Sequence, residues 1–547
     1  MTSILDLICD GAISSNAISF IPGSPSGTAL SDLWKASGRA CAWWRGVASP
    51  GETIAMVLDS GFDSLAMLIG AWRAGLTVAS LPYPARAMSE LAYRNQIMKM
   101  CSACQARLLV VERRFLELTG DLEVPCLALD GYLSSTVIPA PNEDCDGNFI
   151  QFTSGSTSEP RGVVLESKAL ASQVEILLDA LELDQQENAL VWVPLSHDMG
   201  LMSVIASLCA GGANWGIRGS LTIASPETFL VDPVFWLKTI SDIRGTLTMV
   251  PPFALDVVSR MLKRKSYQFD LSSLSHLVIG GEPIRADTLR KFEEAGSQYG
   301  LDPHALTPAY GLAEASLVVS ILGKMEHWSS TMETSDASTV QEGPSVNEPN
   351  TQTTLGEVVS CGKVAPCVNV RISRSENHSV GELGTIEIKS PSLFKGYVGG
   401  KDSSTISEDG WFTTSDIGWI SEDRQLYVVG RNDDMFFLSG RNLFAGDMER
   451  LASSHPYVRK GNCVVVPRPE TGYILVCEPS SEDLDQAALK RASKELKVML
   501  AQNYNASPQQ VLFIARGSLP KTPSGKIKRN HLSELLSYGA LPRILET

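Results

Sequence analysis

The sequence lacks an apolar run long enough to cross a membrane, and its charges are far from balanced. No stretch reaches the roughly 18 to 20 apolar residues that a membrane-spanning helix requires. The first basic residue is Lys35, so the N-terminal segment does not carry the charge of a secretory signal. The 547 residues have a net charge of -15, which would repel a nucleic-acid backbone. We therefore expect a cytoplasmic protein with no transmembrane segment and no nucleic-acid partner.

Histidine is scarce, and the cysteines do not form a metal-binding pattern. The chain has seven histidines and eleven cysteines. Cys101 and Cys104 form one Cys-x-x-Cys pair, but the sequence has no second pair and no histidine cluster beside it. A zinc site or a disulfide framework would need those further residues. The cysteines are therefore expected to be reduced and structural.

Apolar strand-like runs alternate with helical ones along the chain. Residues 53–58 and 108–111 are continuous apolar runs, and residues 64–74 have the spacing of a helix with one apolar face. Such alternation is typical of a parallel sheet covered by helices. The pattern returns at residues 190–193 and 277–279, and the latter run leads directly into two glycines. The sequence predicts an α/β fold with its site at the carboxyl ends of the strands.

The chain is too long for one hydrophobic core, so at least two folding units are expected. Residues 325–354 are rich in Ser, Thr, Glu, Asn and Pro, which predicts a polar surface insertion. Short strand signals separated by glycine follow and predict a small β subdomain over about 355–430. A glycine and a charged cluster then mark a boundary. We predict an N-terminal domain over 1–430, of helix-covered sheets with this subdomain, and a C-terminal α+β cap domain over 431–547.

A segment rich in small hydroxyl residues and glycine lies at 152–164, FTSGSTSEPRGVV. Such a loop can curl its N–H and O–H groups around a polyanion, and an arginine in it can add positive charge. No Gly-Lys-Ser/Thr closes a Walker A spacing, so the usual kinase and GTPase interpretation loses its support. Taken alone, the run is equally typical of an exposed loop. The candidate phosphate-binding residues are Thr153, Ser154, Gly155, Ser156, Thr157 and Arg161.

Four further segments follow in a fixed order: YGLAE at 310–314, GWFTTSD at 410–416, VGRNDD at 429–434 and LPKTPSGKI at 519–527. Together with the loop at 152–164 they resemble the adenylate-forming superfamily of acyl-CoA synthetases, peptide-synthetase adenylation domains and luciferases. The resemblance covers residues from about 25 to about 535. It implies ATP-dependent activation of a carboxylic acid to an acyl adenylate, with release of pyrophosphate and with Mg²⁺ as cofactor.

The resemblance also implies roles for individual residues. Lys526 matches the lysine that bridges the carboxylate and the α-phosphate, and Glu314 matches the glutamate that helps to hold Mg²⁺. Asp433 occupies the position of the hinge about which the family turns a mobile cap domain. Two departures from the family pattern are Ser158 at a usual glycine and Arg161 at a usual lysine. The adenine and ribose site implied by the motifs consists of Gly281, Glu282, Tyr310, Gly311, Asp416 and Arg431, with Arg431 also on the catalytic side.

The segment at 192–201, WVPLSHDMGL, resembles that of fatty acyl-AMP ligases more closely than that of amino-acid adenylation domains. It implies an acyl site formed by His197, Asp198 and Met199. In that subfamily an insertion matching residues 325–354 accompanies poor use of coenzyme A, so the implied acceptor is the phosphopantetheine thiol of an acyl carrier protein. Three alternatives stay open: an acyl-CoA ligase, adenylation of an amino or aryl acid, and a catalytically degenerate regulator or interaction protein.

Overall fold

The structure is a computed structural model. It describes residues 2–14, 16–21, 27–84, 89–119, 122–134, 145–153, 161–331, 334–336, 352–354, 357–373, 383–399, 406–438, 441–468, 472–504, 506–521 and 527–546. Within these ranges, no helix combines the length and the apolar character that crossing a bilayer demands.

The first part of the chain alternates strands and helices as predicted. The run at 53–58 is strand β3, the helical pattern at 64–74 is helix α3, and the run at 108–111 is strand β5. The elements are α1 (Ile4–Ala12), β1 (Ala17–Ile21), β2 (Thr28–Ala29), α2 (Leu30–Arg45), β3 (Thr53–Val57), α3 (Phe62–Arg73), β4 (Thr77–Leu81), α4 (Glu90–Ala103), β5 (Leu109–Val111), α5 (Leu116–Thr119), β6 (Cys126–Ala128) and β7 (Asn148–Thr153).

The alternation continues to residue 321. Within this part, the strand predicted at 190–193 overlaps the end of β9, and the one predicted at 277–279 lies in β12. The elements are β8 (Arg161–Leu165), α6 (Ser167–Leu181), β9 (Gln186–Val191), α7 (Asp198–Cys209), β10 (Arg218–Ala224), α8 (Glu227–Val231), α9 (Phe235–Ile243), β11 (Leu247–Val250), α10 (Pro252–Leu262), β12 (His276–Ile279), α11 (Ala286–Ser297), β13 (Leu306–Gly311) and β14 (Val318–Ile321).

The next part of the chain consists of strands without long helices. They are β15 (Ser330–Thr331), β16 (Thr334–Asp336), β17 (Gln352–Thr354), β18 (Val358–Val364), β19 (Asn369–Ser373), β20 (Gly384–Lys389), β21 (Gly396–Tyr397), β22 (Phe412–Ile420), β23 (Gln425–Arg431) and β24 (Met435–Leu438). Most of the predicted polar insertion at 325–354 lies outside the described residues, but β16 and β17 pair across it as an antiparallel ribbon.

Two large sheets organise this part of the protein. In one, the order is β21-β8-β7-β4-β3-β5-β6, with β7 to β6 parallel. In the other, the parallel strands β1, β10, β9, β11, β12 and β13 continue through β14 into the antiparallel strands β18, β23, β22, β20 and β19. The strands predicted as a β subdomain therefore extend the main sheet. The whole agrees with the predicted class of helix-covered α/β sheets.

The central strands are buried on both faces, as parallel strands between two helical layers must be. Ile54, Ala55, Met56 and Val57 are four consecutive β3 residues with no exposed surface. A strand with one solvated face would show alternate exposure instead. This burial explains why the apolar runs in the sequence are continuous.

The C-terminal part forms a four-stranded sheet with helices on both faces. Its elements are β25 (Arg441–Phe444), α12 (Ala445–Ser453), β26 (Val458–Arg468), β27 (Gly472–Pro479), α13 (Gln486–Tyr504), β28 (Gln510–Ile514), α14 (Arg529–Ser537) and β29 (Arg543–Glu546). Along β26, Val465 faces the core under α12 and α13, whereas Val464 and Val466 face the core under α14. This part is the α+β unit that the sequence predicts.

Candidate active site

The predicted residues collect at the carboxyl ends of the parallel strands. Tyr310 and Gly311 end β13, and Gly281 follows β12. The segment at 192–197 leaves β9, which is separated from β12 only by β11. Because these strands are parallel, their carboxyl ends meet at one edge of the sheet, where open α/β sheets form their binding crevices.

The predicted adenine and ribose residues are in direct contact. The Tyr310 hydroxyl donates a hydrogen bond of 2.7 Å to Oδ2 of Asp416, although the two residues are 106 positions apart. Asp416 on β22 is paired in register with Arg431 on β23, and Arg431 Nε lies 3.9 Å from Asp416 Oδ1. Burial, and then the charge of Asp416, raise the pKa of Tyr310, so this phenol remains a donor. The contact fixes the direction of the carboxylate.

Glu314 stands in a short 3₁₀ turn directly after β13 and is held from two sides. Its backbone oxygen accepts a hydrogen bond of 2.8 Å from the N–H of Phe394, and its Oε1 accepts one of 2.7 Å from the hydroxyl of Tyr397. Burial raises the pKa of Glu314, the Tyr397 hydrogen bond lowers it, and the charges of Asp416 and Asp198 raise it further. Glu314 therefore lies within electrostatic reach of Asp416 and Asp198, which are the predicted ribose and acyl-site residues.

The charges of Asp416 and Asp198 both act on Glu314, so a cation would stabilise its ionised form, and oxygen ligands suit Mg²⁺. In the described part of the chain, however, no three His, Cys, Asp or Glu side chains come close enough to form a metal cluster. A magnesium ion here would take Glu314 as a protein ligand and complete its shell with phosphate oxygens and water, which is the usual arrangement for Mg²⁺. The donor set thus fits the ion that the sequence implies.

Tyr397 was not predicted from the sequence. It lies on the two-residue strand β21 and pairs with Val163 of β8. The guanidinium of Arg161 lies over its ring, with Cζ 5.6 Å from the centroid. This tyrosine therefore links the arginine of the phosphate loop to Glu314. A strand of two residues has no periodicity, and an isolated aromatic carries no recognisable motif, so no sequence signal could have identified it.

The phosphate loop is described only at its ends. Thr153 closes β7 and Arg161 opens β8, and the two residues are paired in register, with Thr153 Oγ1 donating to the Arg161 oxygen at 3.4 Å. The loop between them thus starts and ends at one point of the sheet, beside Tyr397. Ser154, Gly155, Ser156, Thr157 and Ser158 lie outside the described residues, so their predicted roles stay predictions.

The predicted acyl segment comes close to Gly281, a predicted adenine-binding residue, at the start of α7. His197 precedes the helix, Asp198 opens it, and Asp198 Oδ1 accepts a hydrogen bond of 2.7 Å from the N–H of Met199. Gly281 has φ of +78°, and a Cβ there would lie 3.2 Å from Cε of Met199. The left-handed conformation favours glycine at this position. The absence of a side chain on Gly281 lets Met199 approach its backbone closely. Glu282 follows and interacts electrostatically with Arg285.

Gln151 is a second residue that the sequence did not reveal. It is 2% exposed, and its Nε2 donates a hydrogen bond of 2.5 Å to the backbone oxygen of Ser196. Gln151 belongs to β7, two residues before the phosphate loop, whereas Ser196 precedes His197. The carboxamide therefore connects the phosphate side of the site to its acyl side.

An apolar cavity of about 40 Å³ lies beneath α7. It is lined on the α7 side by the small side chains Ala206 and Ala210 and by Ser203, which contacts Met249 at 3.1 Å. Leucines of α6 form the opposite wall. The lining is mostly aliphatic, so the cavity suits an apolar group.

Lys526 lies outside the described residues, but the two ends of its segment are described. Lys521 and Ile527 form an antiparallel bridge, and the N–H of Lys528 donates a hydrogen bond of 2.9 Å to the Pro520 oxygen. The segment at 522–526 therefore leaves and re-enters the cap at one point. Asp433 lies within a 3₁₀ turn between β23 and β24, and its side chain also lies outside the described residues.

A tyrosine–aspartate pair and a glutamate near the carboxyl ends of parallel strands form the kind of crevice in which open α/β sheets bind their ligands. The family described as AMP-binding enzyme matches residues 30–398, which is more than half of the chain. The protein therefore belongs to the AMP-binding enzyme family, and the resemblance to the adenylate-forming superfamily is confirmed. It is an AMP-forming ligase by family.

Two curated relatives narrow the comparison to fatty acyl ligases. The long-chain-fatty-acid–AMP ligase FadD32 of Mycolicibacterium smegmatis is 26% identical over 549 residues, which cover 88% of this chain and 84% of the relative. The medium-chain-fatty-acid–[acyl-carrier-protein] ligase JamA of Moorena producens is 29% identical over 403 residues, which cover 70% of this chain and 66% of the relative. The predicted resemblance to fatty acyl-AMP ligases is thus confirmed.

The fold is also similar to that of a solved structure. A chain from a structural study of fatty acyl-adenylate ligases from E. coli and L. pneumophila superimposes with a TM-score of 0.84 and 24% identity, and 99% of each chain is covered. At this identity the likeness concerns the fold, and it confirms the predicted α/β architecture over the whole chain.

Proposed function

We propose that this protein activates a fatty acid with ATP to form a fatty acyl-AMP and pyrophosphate, and then passes the acyl group to the phosphopantetheine thiol of an acyl carrier protein. The observation that carries the first step is the position of Glu314. Its carboxylate interacts with Asp416 on the ribose side and with Asp198 on the acyl side, so the nucleotide, the metal and the acid would meet at one point.

The reaction requires two anions to approach each other. A carboxylate oxygen of the acid forms a bond to the α-phosphorus of ATP, and the bond from that phosphorus to the bridging oxygen breaks as pyrophosphate leaves. The positive charges of Arg161 and Lys526 would offset the repulsion, as electrostatic stabilisation of phosphoryl and nucleotidyl transfer requires. A magnesium ion held by Glu314 would neutralise phosphate charge. Asp416 would accept hydrogen bonds from the ribose hydroxyls, and Arg431 would contact the nucleotide beside it.

The aliphatic cavity supports a fatty acid as the substrate. Its walls are mostly aliphatic, and one of its lining residues, Ser203, lies one helical turn from Met199. The acid's carboxylate would bind near His197 and Asp198 while its chain extends beneath α7. An amino acid would instead bring its ammonium group towards this apolar wall, where an unpaired charge is costly.

The acceptor is supported by the relatives and by the chain's own organisation. JamA is named as an acyl-carrier-protein ligase, and the insertion at 325–354 lies in the interval associated with poor use of coenzyme A. We also propose that residues 1–430 and 431–547 act as two domains about a hinge at Asp433. Turning the cap would withdraw Lys526 after adenylation and make room for the thiol.

The test is pyrophosphate release with ATP, Mg²⁺ and a panel of straight-chain fatty acids, amino acids and aryl acids. Mass spectrometry with coenzyme A or a phosphopantetheinylated carrier protein then identifies the acceptor. Release with fatty acids and loading of the carrier alone is the expected result. Formation of acyl-CoA would overturn the proposed acceptor. Pyrophosphate release only with amino or aryl acids would overturn the proposed substrate class. No release with any acid would overturn the proposed adenylation activity.

A further inference from the structure

A partly buried ionic network lies at the start of α14, three residues after Lys526. Arg529 Nε contacts Asp434 Oδ1 at 2.8 Å, and its Nη2 donates a hydrogen bond of 2.8 Å to Glu449 Oε2. Its Nη1 contacts the other oxygen of Glu449. One guanidinium thus binds two carboxylates on two different elements. Asp434 ends the 3₁₀ turn that contains Asp433, whereas Glu449 belongs to α12.

The charges in this network are partly removed from solvent and depend on one another. The side chain of Glu449 is 12% exposed, that of Arg529 is 23% exposed and that of Asp434 is 33% exposed. Burial raises the pKa of Glu449, and the hydrogen bond and charge of Arg529 oppose that rise. Oε1 of Glu449 also accepts a hydrogen bond of 2.7 Å from the N–H of Val465. Lysine has three N–H donors but no planar fork, so it could not hold Glu449 in a bidentate pair while also contacting Asp434.

The other end of the Lys526 segment is anchored elsewhere. Oε1 of Glu478 on β27 accepts a hydrogen bond of 3.1 Å from the N–H of Leu519, and its Oε2 lies 2.7 Å from Arg459. Leu519 is therefore anchored to the sheet of the cap, and Lys521 and Ile527 meet in a bridge. Among the described residues that follow, Arg529 links this point to the hinge turn through Asp434.

We infer that Arg529 is a positioning residue, which ties the exit of the Lys526 segment to the first turn after the hinge. A rotation at Asp433 then moves Asp434, α12 and the start of α14 as one body. The inference rests on the role proposed for Lys526 in adenylation. In this inference Asp434 and Arg529 hold the start of α14 in place and do not contact the substrate.

Asp434→Asn and Arg529→Lys test this link, because each leaves a polar side chain of nearly the same size. Loss of the link should lower kcat for pyrophosphate release by about tenfold or more, since small misplacements of a catalytic group are costly. The KM for ATP should change less than twofold, by the order of magnitude expected when binding groups are untouched. The melting temperature of Asp434→Asn should stay close to that of the wild type. Hydrogen exchange should accelerate in a peptide covering residues 519–530.

Glu495→Gln is the matched control, because Glu495 pairs with His455 at 2.8 Å on the same cap but on α13. It should behave like the wild type in every assay. Wild-type kcat together with unchanged exchange in Asp434→Asn and Arg529→Lys would overturn the inference. So would a loss of activity that only parallels a loss of melting temperature, because that result indicates a structural role. A wild type that releases no pyrophosphate refutes the proposed function, whereas hydrogen exchange still tests the link.

Discussion

Replacing Tyr397 with Phe removes a single oxygen from the site and should displace the pH profile of adenylation. The hydroxyl donates to Oε1 of Glu314 at 2.7 Å, and this bond lowers the pKa of a carboxyl that burial raises. A donor that stabilises the ionised form holds the pKa down, so its loss lets the pKa rise. The ring remains, so the contact beneath Arg161 is kept.

The size of the shift can be bounded. A hydrogen bond to a charged group contributes about 1.5–3 kcal/mol, and one pKa unit corresponds to about 1.36 kcal/mol. The pKa of Glu314 should therefore rise by at most about one to two units. Because magnesium binding needs the ionised carboxylate, the acidic limb of the rate profile should move to higher pH by up to the same amount. At alkaline pH the rates of variant and wild type should converge.

The assay is the initial rate of pyrophosphate release at saturating ATP and fatty acid, over about pH 5 to 9. Tyr427→Phe serves as the control, because Tyr427 is a buried tyrosine of β23 whose ring stacks on Trp419. An acidic limb that is identical in wild type and Tyr397→Phe would refute the link between this hydroxyl and Glu314. A uniform loss of rate at all pH values would also refute it, since that result indicates displaced geometry and not a changed pKa.

Three further outcomes are expected. Lys526→Ala should lower pyrophosphate release by orders of magnitude while ATP binding, measured by calorimetry, is retained; Lys528→Ala, two residues on, should change little. Ala206→Leu should narrow the cavity beneath α7 and shift the preference of adenylation towards shorter acids, with the rate on the shortest active acid preserved, and an unchanged chain-length profile would exclude this cavity as the acyl site. Replacing residues 337–351 by a short turn between the paired strands β16 and β17 should leave adenylation intact and increase acyl-CoA formation; no increase would show that acceptor choice lies elsewhere.

Motifs in the sequence predicted which residues meet, but not how they are held. Tyr310 and Asp416 were both candidates for the nucleotide site, and the structure joins them by one hydrogen bond. Tyr310 lies at the end of β13, near the point where Gly281 follows β12, whereas Asp416 lies within β22. The sequence could not show that Asp416 and Arg431 are paired in register across β22 and β23, since strand pairing depends on long-range contacts.

Other features depend on side-chain direction, which sequence alone does not determine. The cavity beneath α7 exists because Ala206 and Ala210 face it, four residues apart on one side of a helix. The same small residues facing solvent would have formed no cavity. The β subdomain was predicted from glycine-separated strands, but its continuity with the main sheet through β14 required the antiparallel pairing of β14 with β18. Both are consequences of tertiary packing.

The departure at Arg161 and the unpredicted Tyr397 explain each other. A planar guanidinium can lie over an aromatic ring while its N–H groups remain directed at an anion, whereas the ammonium of lysine is a more strongly hydrated point charge. Arg161 Cζ lies 5.6 Å from the Tyr397 ring centroid, and the charge of Arg161 lowers the pKa of Tyr397 against the rise caused by burial and by Glu314. One phenol therefore contacts the Arg161 guanidinium through its ring and Glu314 through its hydroxyl. In this chain an arginine in place of lysine keeps the positive charge and adds a contact with the residue that also holds Glu314.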